Sequence, residues 1–318
     1  MKIGFIGLGN VGAKLAGTLL RNGHDLTVRD LDPQRVQSFV ERGAKQAASP
    51  REMIQHVDLI ITCLPSPAAS AAVAEGSDGF LSALRPGQIW LEMSTTDHAE
   101  IIRLAALAEA RGAMVMDCPV SGGCHRAATG NIAIFAGGER AAFEKVLPVL
   151  TTLGRRILHT GELGSASELK VVTNYLCTVH LVALAEALTT CKVAGMDMNV
   201  AYEAIRISSG NSFVHETESQ VILNGSRDIN FTMDLVIKDV GLFDQLARDL
   251  HVPLELSPLV LSIFEDGQRR YGAREHSPNI IRRLEEPCHV KVLGVGFPAQ
   301  IVDEEPEEPG YEVKPRRG

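Results

Sequence analysis

The chain has 318 residues, of which 45% are apolar and 22% are charged. These proportions are ordinary for globular proteins and exclude a disordered, collagen-like or disulfide-scaffold chain. The formal net charge of −8 gives no electrostatic support for nucleic-acid or anionic-membrane partners. The length predicts about two domains, and the sequence offers no uncharged apolar run of the length that a membrane span needs.

The six cysteines form no C-x-x-C pair, and the histidines have no metal-ligand spacing. We therefore expect no metal site, and we expect reduced, mostly buried thiols in a cytoplasmic protein. Lys2 precedes an apolar stretch that resembles a signal peptide, but glycines and Lys14 interrupt it. This stretch predicts the first strand of a fold instead.

The first half of the chain alternates short apolar runs with helical patterns. Such alternation is typical of a parallel sheet that is covered by helices on both faces. The predicted strands are residues 2–6, 25–28, 59–64, 88–92 and 113–117, with 132–136 and 156–159 as further candidates. The predicted helices are residues 14–21, 34–42 and 99–111. This half therefore predicts an α/β Rossmann domain with a doubly wound sheet, over residues 1–162.

The pattern changes after residue 160. Ser165-x-x-Glu168 has the form of a capping box, and the helix that follows, over 169–194, is apolar nearly all round, which predicts burial. Further helical patterns at 199–207, 233–250 and 255–270 indicate an all-helical second domain over 163–290, with the long helix joining the domains. The acidic, proline-containing tail over 291–318 is expected to be solvated rather than docked.

A glycine-rich turn follows the first strand and opens the first helix. Its residues are Gly7, Leu8, Gly9, Asn10, Val11 and Gly12. The first glycine permits a tight turn, the second lets a pyrophosphate approach the backbone, and the third allows close helix–strand packing. The helix N-terminus then faces the phosphates. The turn predicts a dinucleotide site.

Asp30 lies eighteen residues after Gly12, at the end of the second strand. A carboxylate there can accept a hydrogen bond from the ribose 2′-hydroxyl and would repel a 2′-phosphate, which favours NAD. Arg29 and Arg35 lie nearby and could instead bind a phosphate, so NADP remains open.

Further cofactor contacts are expected at the carboxyl ends of other strands, where open α/β sheets bind ligands. Leu64 and Pro65 end one predicted strand, and Thr95 and Thr96 follow another. We expect one of the two threonines to cap the next helix, which leaves the other available to the cofactor.

Lys170 and Asn174 are four residues apart on the long helix, so they share a face. A lysine among so many apolar neighbours is either snorkelling from a helix end or buried for a reason. Burial would lower its pKa toward the working pH, which suits a general acid or base. Asn174 could hold a substrate hydroxyl or carbonyl beside it.

A second glycine-rich loop follows the strand that ends at Asp117. The N–H groups of Ser121, Gly122 and Gly123 could cradle a carboxylate, although a plain turn is the alternative. Arg126 could add a cationic contact, although a surface arginine is the simpler expectation. Further on, the simplest interpretation of Lys238 and Asp239 is a helical ion pair, and that of Phe231 is a core aromatic residue.

These motifs together resemble the β-hydroxyacid dehydrogenase family, which includes 3-hydroxyisobutyrate dehydrogenase and tartronate semialdehyde reductase. The resemblance covers roughly residues 1–270 and rests on four ordered segments: 4–12, 117–123, 161–174 and 238–239. It implies an NAD(P)-dependent dehydrogenase that interconverts a small anionic 3-hydroxyacid and its semialdehyde. It also implies a homodimer or homotetramer with contacts through the helical domain.

The resemblance also implies roles for individual residues. Lys170 would be the catalytic acid or base, and Asn174 would hold the substrate with the loop Ser121–Gly123. The residues around the nicotinamide and the closed cleft would be Thr95, Phe231, Lys238 and Asp239.

Two departures from the family pattern matter. Cys124-His125-Arg126 occupies a stretch that is usually small and uncharged, so the substrate could carry extra negative charge or bulk; the chain after about residue 272 is also longer than the pattern. Tartronate semialdehyde, a sulfonated or phosphorylated aldehyde, and serine remain alternative substrates. A non-catalytic dinucleotide-binding module has no need of Lys170, and related imine reductases generally replace this lysine.

Overall fold

The computed structural model describes residues 1–316 and forms two compact units. The first contains residues 1–170 and the chain from Asp303 onward, and the second contains Val171–Val302. The boundary thus falls inside the long helix rather than at the predicted residue 162. Residues 291–302 belong to the second unit, so the predicted tail is not a separate segment. The last two residues of the predicted tail, 317 and 318, lie outside the part of the chain that the structure describes.

A mostly parallel sheet of ten strands organises the first unit. The strands are β1 (Ile3–Ile6), β2 (Leu26–Arg29), β3 (Lys45–Gln46), β4 (Leu59–Thr62), β5 (Ile89–Glu92), β6 (Met114–Asp117), β7 (Val120–Ser121), β8 (Ala133–Gly137), β9 (Arg156–Gly161) and β10 (Tyr311–Glu312). Their order is β10-β9-β8-β6-β5-β4-β1-β2-β3, and β7 pairs with β8. The winding reverses between β1 and β4, as in a doubly wound Rossmann sheet. All seven predicted strands form; the three missed ones, β3, β7 and β10, have two residues each.

Seven α-helices lie wholly within the described residues of the first unit. They are α1 (Gly12–Arg21), α2 (Pro33–Val40), α3 (Pro50–Ile54), α4 (Pro67–Glu75), α5 (His98–Glu109), α6 (Gly123–Thr129) and α7 (Arg140–Leu153). Asp32, Ser49 and Ser66 each cap a helix that starts with proline, which lacks the N–H that a first turn leaves unsatisfied. The strands carry apolar side chains into two separate core clusters of this unit, one containing Phe5 and the other Trp90.

The second unit is helical. Its helices are the greater part of α8 (Ser165–Val193), then α9 (Met198–Arg206), α10 (Phe213–Asn224), α11 (Met233–Asp249), α12 (Leu256–Tyr271) and α13 (Arg282–Cys288). They enclose one core cluster, which includes Leu188, Val236 and Phe264. The predicted helical second half is confirmed, although α10 and α13 were not recognised in the sequence.

Two expectations about α8 are wrong. Leu169 is 40% exposed and Leu176 is 46% exposed, so the helix is not buried all round. The predicted capping box does not form, because Ser165 lies within the helix and its hydroxyl donates to the Glu162 carbonyl. By length and composition alone α8 could also cross a membrane, a property that core helices share.

The acidic tail docks onto the first unit, which corrects the expectation of a solvated segment. Strand β10 pairs in parallel with β9 and so covers that edge of the sheet. The tail carboxylates also meet arginines of the first unit, in the pairs Arg21–Glu307, Arg126–Glu305, Arg156–Glu305, Arg155–Glu308 and Arg140–Glu312. These arginines lie far from the tail in sequence, so no local pattern could reveal the pairing.

Candidate active site

The turn between β1 and α1 fits a dinucleotide phosphate. Gly7 has a φ of +99°, and a side-chain carbon there would lie 2.2 Å from the Cys63 carbonyl oxygen. A side-chain carbon on Gly12 would lie 2.0 Å from the carbonyl oxygen of Gly7. At Gly9 the nearest atom would be a guanidinium nitrogen of Arg35 at 3.9 Å, so the backbone there is open. Tight packing at two glycines and open space at the third are what a pyrophosphate cradle requires.

Asp30 lies beside this cradle and organises its backbone. Its Oδ2 accepts from the Leu8 N–H at 2.6 Å, and its Oδ1 accepts from the Asp32 N–H at 2.9 Å. Asn10 is exposed and Val11 is half-buried where α1 begins. The carboxylate therefore stands at the end of β2, where the sequence placed it, with two backbone bonds that the sequence did not indicate.

The ends of β4 and β5 form the next part of the site. The Leu64 N–H donates to Ser94 Oγ at 2.7 Å, and the Ser94 N–H donates to Glu92 Oε1 at 2.8 Å. Pro65 is exposed and Thr95 is half-buried. The first bond joins the ends of two adjacent parallel strands at their carboxyl edge, and the second holds Ser94 in place at the end of β5.

Helix α5 is capped by Asp97, which accepts from the Glu100 N–H at 2.9 Å. The prediction that Thr95 or Thr96 caps this helix is therefore wrong. Thr96 is buried, whereas Thr95 stays half-buried at the strand end.

The thiols near these strand ends are not suited to nucleophilic chemistry. Burial, and next the carboxyl group of Glu92, raise the pKa of Cys63 to about 12, so the thiol stays protonated at neutral pH. Burial likewise raises the pKa of Cys118. All six cysteines are free. By exposure of the whole residue only Cys118 is buried, while Cys63 is half-buried with its thiol turned inward, so the expectation of mostly buried cysteines is wrong. The described residues contain no His, Cys, Asp or Glu cluster that could hold a metal ion.

The second glycine-rich loop joins β7 to α6, and we call residues Ser121, Gly122 and Gly123 the substrate loop. Ser121 pairs with Ala133 of β8. Gly122 and Gly123 have φ values of +129° and +85°, which L side chains rarely adopt. A side-chain carbon on Gly122 would lie 3.2 Å from Arg126 Cδ, so the arginine stem covers this glycine.

Lys170 is buried, with 7% of its surface exposed. It is therefore not a snorkelling lysine, and it lies on α8 one helical turn before Asn174. Burial of a lysine is costly, which makes a functional role a reasonable inference.

Asp117, at the end of β6, holds the first turn of α8. Its Oδ1 accepts from the Gly164 N–H at 2.9 Å, and its Oδ2 accepts from the N–H and the hydroxyl of Ser167 at 2.7 and 2.8 Å. Ser167 lies three residues before Lys170. The sequence showed Asp117 only as the start of a glycine-rich motif, because its partners lie about fifty residues away.

In the second unit, Asp239 connects two of the predicted site residues. The Asn174 amide donates to Asp239 Oδ2, and Lys238 Nζ lies 2.6 Å from Asp239 Oδ1. Asp239 is only 2% exposed, so a buried carboxylate orients both side chains. Phe231 is half-buried against the core of this unit. The predicted ion pair of Lys238 and Asp239 is therefore present, and the Asn174 amide donates a hydrogen bond to the same carboxylate.

Two family models together span most of the chain. The model for the NAD binding domain of 6-phosphogluconate dehydrogenase matches residues 2–161. The model for the NAD-binding domain of NADP-dependent 3-hydroxyisobutyrate dehydrogenase matches residues 164–284. With the doubly wound sheet and the glycine cradle, they define an NAD(P)-dependent oxidoreductase.

Similar proteins of known activity narrow the class of oxidoreductase to which the chain belongs. The chain is 34% identical over 295 residues to 2-(hydroxymethyl)glutarate dehydrogenase of Eubacterium barkeri, covering 92% of this chain and 98% of the relative. It is 32% identical over 269 residues to the rat mitochondrial 3-hydroxyisobutyrate dehydrogenase, covering 82% and 80%. The crystal structure of 3-hydroxyisobutyrate dehydrogenase from Salmonella typhimurium superposes with a TM-score of 0.82 at 30% identity, covering 89% and 99%. The chain belongs to the β-hydroxyacid dehydrogenase family.

Proposed function

We propose that this protein interconverts a small 3-hydroxyacid of the 3-hydroxyisobutyrate type and its semialdehyde, with Lys170 as general acid and base. The observation that carries this proposal is the burial of Lys170 on α8, one turn before Asn174. A dinucleotide-binding module without catalysis would have no use for a buried amine at this position. The family and its relatives support the reaction class.

The cofactor would be held by residues of the first unit. We propose the cradle of residues 7–12 for the pyrophosphate, Asp30 for the ribose, and Leu64, Pro65 and Thr95 near the strand ends. A nicotinamide cofactor held there would supply the hydride-transfer chemistry. The open backbone at Gly9 and the tight packing at Gly7 and Gly12 support this assignment.

Proton transfer falls to Lys170. In oxidation the neutral amine takes the proton of the substrate hydroxyl while the carbon loses its hydride, and in reduction the ammonium returns the proton to the carbonyl oxygen. Such general acid–base catalysis contributes about 10²–10⁴-fold. Asn174, oriented by Asp239, would hold the same oxygen. The roles of Phe231 and Lys238 around the nicotinamide stay predictions from the family resemblance.

The substrate carboxylate would bind the substrate loop. The positive φ values of Gly122 and Gly123 turn successive backbone units, an arrangement that can present N–H groups to an anion. The hydroxyl of Ser121 would add a donor.

A turnover screen tests the proposal. NAD and NADP are each offered with 3-hydroxyisobutyrate, 2-(hydroxymethyl)glutarate, serine, and the reduced forms of tartronate semialdehyde and sulfolactaldehyde. We expect turnover of at least one 3-hydroxyacid and its loss in Lys170→Ala. Cofactor binding without any turnover would instead favour the non-catalytic module.

We also propose that NAD is preferred over NADP. Asp30 stands beside the cradle, where its charge would repel a 2′-phosphate. Arg35 also approaches the cradle, but its guanidinium contacts Asp32 at 3.3 Å, which offsets its charge. A KM for NADP lower than that for NAD would contradict this preference.

We further propose a cytoplasmic homo-oligomer. A largely apolar stripe runs along α8 in the second unit, and it includes the exposed side chains of Leu176, Ala183 and Ala187, with the exposed His180 between them. Stripes of this kind mark protein–protein contacts, and most soluble oligomers are symmetric homo-oligomers. Light scattering should give a dimer or tetramer for the wild type and a smaller species for Leu176→Glu; a monomeric wild type would refute this part. The free cysteines support a reducing location.

A further inference from the structure

The C-terminal segment reaches the helix that follows the substrate loop. Asp303 accepts from the Asn131 amide at 2.7 Å and from the Thr129 hydroxyl, and Thr129 is the last residue of α6. The Asn131 amide also donates to the Glu305 carbonyl at 2.9 Å. The family models end at residue 284, so nothing in the family match accounts for these contacts.

Glu305 neutralises the arginine that covers the substrate loop. Arg126 Nη2 lies 3.2 Å from Glu305 Oε1, and Arg156 Nη1 lies 3.1 Å from the other carboxylate oxygen. The stem of Arg126 packs over Gly122. The carboxylate is therefore joined, through one side chain, to the loop that would bind the substrate.

The other charges around Arg126 do not replace Glu305. His125, its neighbour on α6, contributes no charge at neutral pH, because burial first and the charge of Arg126 second lower the pKa of the imidazole. Asp303 interacts electrostatically with Arg126, but its carboxylate already accepts hydrogen bonds from Thr129 and Asn131. Removal of the Glu305 charge would therefore make the surroundings of the loop more positive by one unit of charge.

We propose that Glu305 is a specificity-determining residue that disfavours substrates with a second negative charge. It acts by holding and neutralising Arg126 beside the substrate loop. Arg126, which the sequence offered as a contact for extra negative charge, is thus compensated from within the chain. The inference rests on the proposed function only for the identity of the loop that receives the substrate.

The test compares Glu305→Gln with Glu308→Gln in the holoenzyme at low ionic strength. Glu308 is a matched control, because it pairs with Arg155, which precedes β9 instead of lying on α6. The ratio of kcat/KM for 2-(hydroxymethyl)glutarate, a dianion, to that for 3-hydroxyisobutyrate, a monoanion, should rise about threefold in Glu305→Gln. The rise should come from KM, shrink with added NaCl, and be absent in Glu308→Gln and Glu305→Asp. An equal change for both substrates would overturn the proposal.

Two further measurements keep the test decisive. In an Arg126→Gln background, Glu305→Gln should have no further effect on the ratio, because the mediating charge is gone; the same threefold rise there would refute the mechanism.

Calorimetry on the NAD-loaded protein should show that Glu305→Gln strengthens the binding of glutarate but not of butyrate. If neither hydroxyacid is turned over but glutarate binding shifts, the proposed function fails and this inference stands. If a hydroxyacid is turned over but Glu305→Gln changes neither the kcat/KM ratio nor the affinity for glutarate, this inference fails and the proposed function stands.

Discussion

Asp117→Asn is the sharpest test of how the fold places Lys170. Asp117 is fully buried, and its carboxylate accepts three hydrogen bonds from the first turn of α8, two from Ser167 and one from Gly164. An asparagine keeps the shape but offers one acceptor oxygen and places an NH₂ group against a backbone donor. A hydrogen bond to a charged group contributes about 1.5–3 kcal/mol. We therefore expect a loss of about 3 kcal/mol in the free energy of unfolding.

The catalytic effect should exceed what stability alone explains. Lys170 follows Ser167 by three residues on the same helix, so a loosened first turn displaces the amine. A misplacement of about 1 Å can cost about 100-fold in rate. We expect kcat to fall by about 10- to 100-fold at a temperature where the variant is fully folded, with the KM for NAD unchanged. Urea unfolding and steady-state kinetics measure the two effects separately.

Asp197→Asn is the matched control. Asp197 caps α9 and accepts from the N–H groups of Asn199 and Val200, but it lies in an exposed setting and carries no proposed site residue. Asparagine caps a helix about as well as aspartate, so the free energy of unfolding should fall by well under about 1 kcal/mol, and kcat should not change. If Asp117→Asn keeps the wild-type kcat, or loses no more stability than this control, the positioning argument is wrong.

Three more predictions concern single side chains. Lys170→Ala should lower kcat by at least about 100-fold and leave the dissociation constant of NAD unchanged by calorimetry; near-normal turnover would remove Lys170 from the mechanism. Asp30→Ala should raise the KM for NAD more than that for NADP, and an equal rise would show that its role is confined to the Leu8 backbone bond. Burial raises the pKa of Glu218 from its usual 4.5 to about 8, so the folded state binds a proton that the unfolded state has lost. Stability should therefore fall as pH rises from about 4.5 to about 8; Glu218→Gln should lack this slope in urea titrations, and parallel curves for the two proteins would contradict the assignment.

Local signals in the sequence were sufficient for much of the first unit. Strand β1, the glycines at 7, 9 and 12, and the start of α1 lie within one short stretch, so periodicity and turn chemistry specify them directly. Lys170 could be selected because its immediate neighbours on the helix are apolar. The open or crowded surroundings of each glycine, however, depend on residues such as Cys63 from other strands.

Contacts between distant residues explain most of the errors. Asp117 replaces the expected capping box because Gly164 and Ser167 reach it across forty-seven and fifty residues. The tail was expected to be solvated because its composition is acidic. Composition does not show that arginines of the first unit lie close to the tail in the folded structure. The exposure of Leu169 and Leu176 was missed for a related reason, since an apolar helix face has the same sequence pattern whether it packs inside the chain or stays exposed.

Strand β10 has a consequence for how the protein is made. The edge of β9 pairs with β10, and the arginines at 21, 126, 140, 155 and 156 each contact a carboxylate within residues 305–312. While the helical unit is being synthesised, β10 is not yet available to pair with β9, and the arginines lack the tail carboxylates. Such an unpaired strand edge can pair with the edge of another nascent chain. The sheet of the first unit is complete only after residues 305–312 have been synthesised. Insertions and affinity tags should therefore be kept away from these residues, so that the pairing of β10 with β9 is not disturbed.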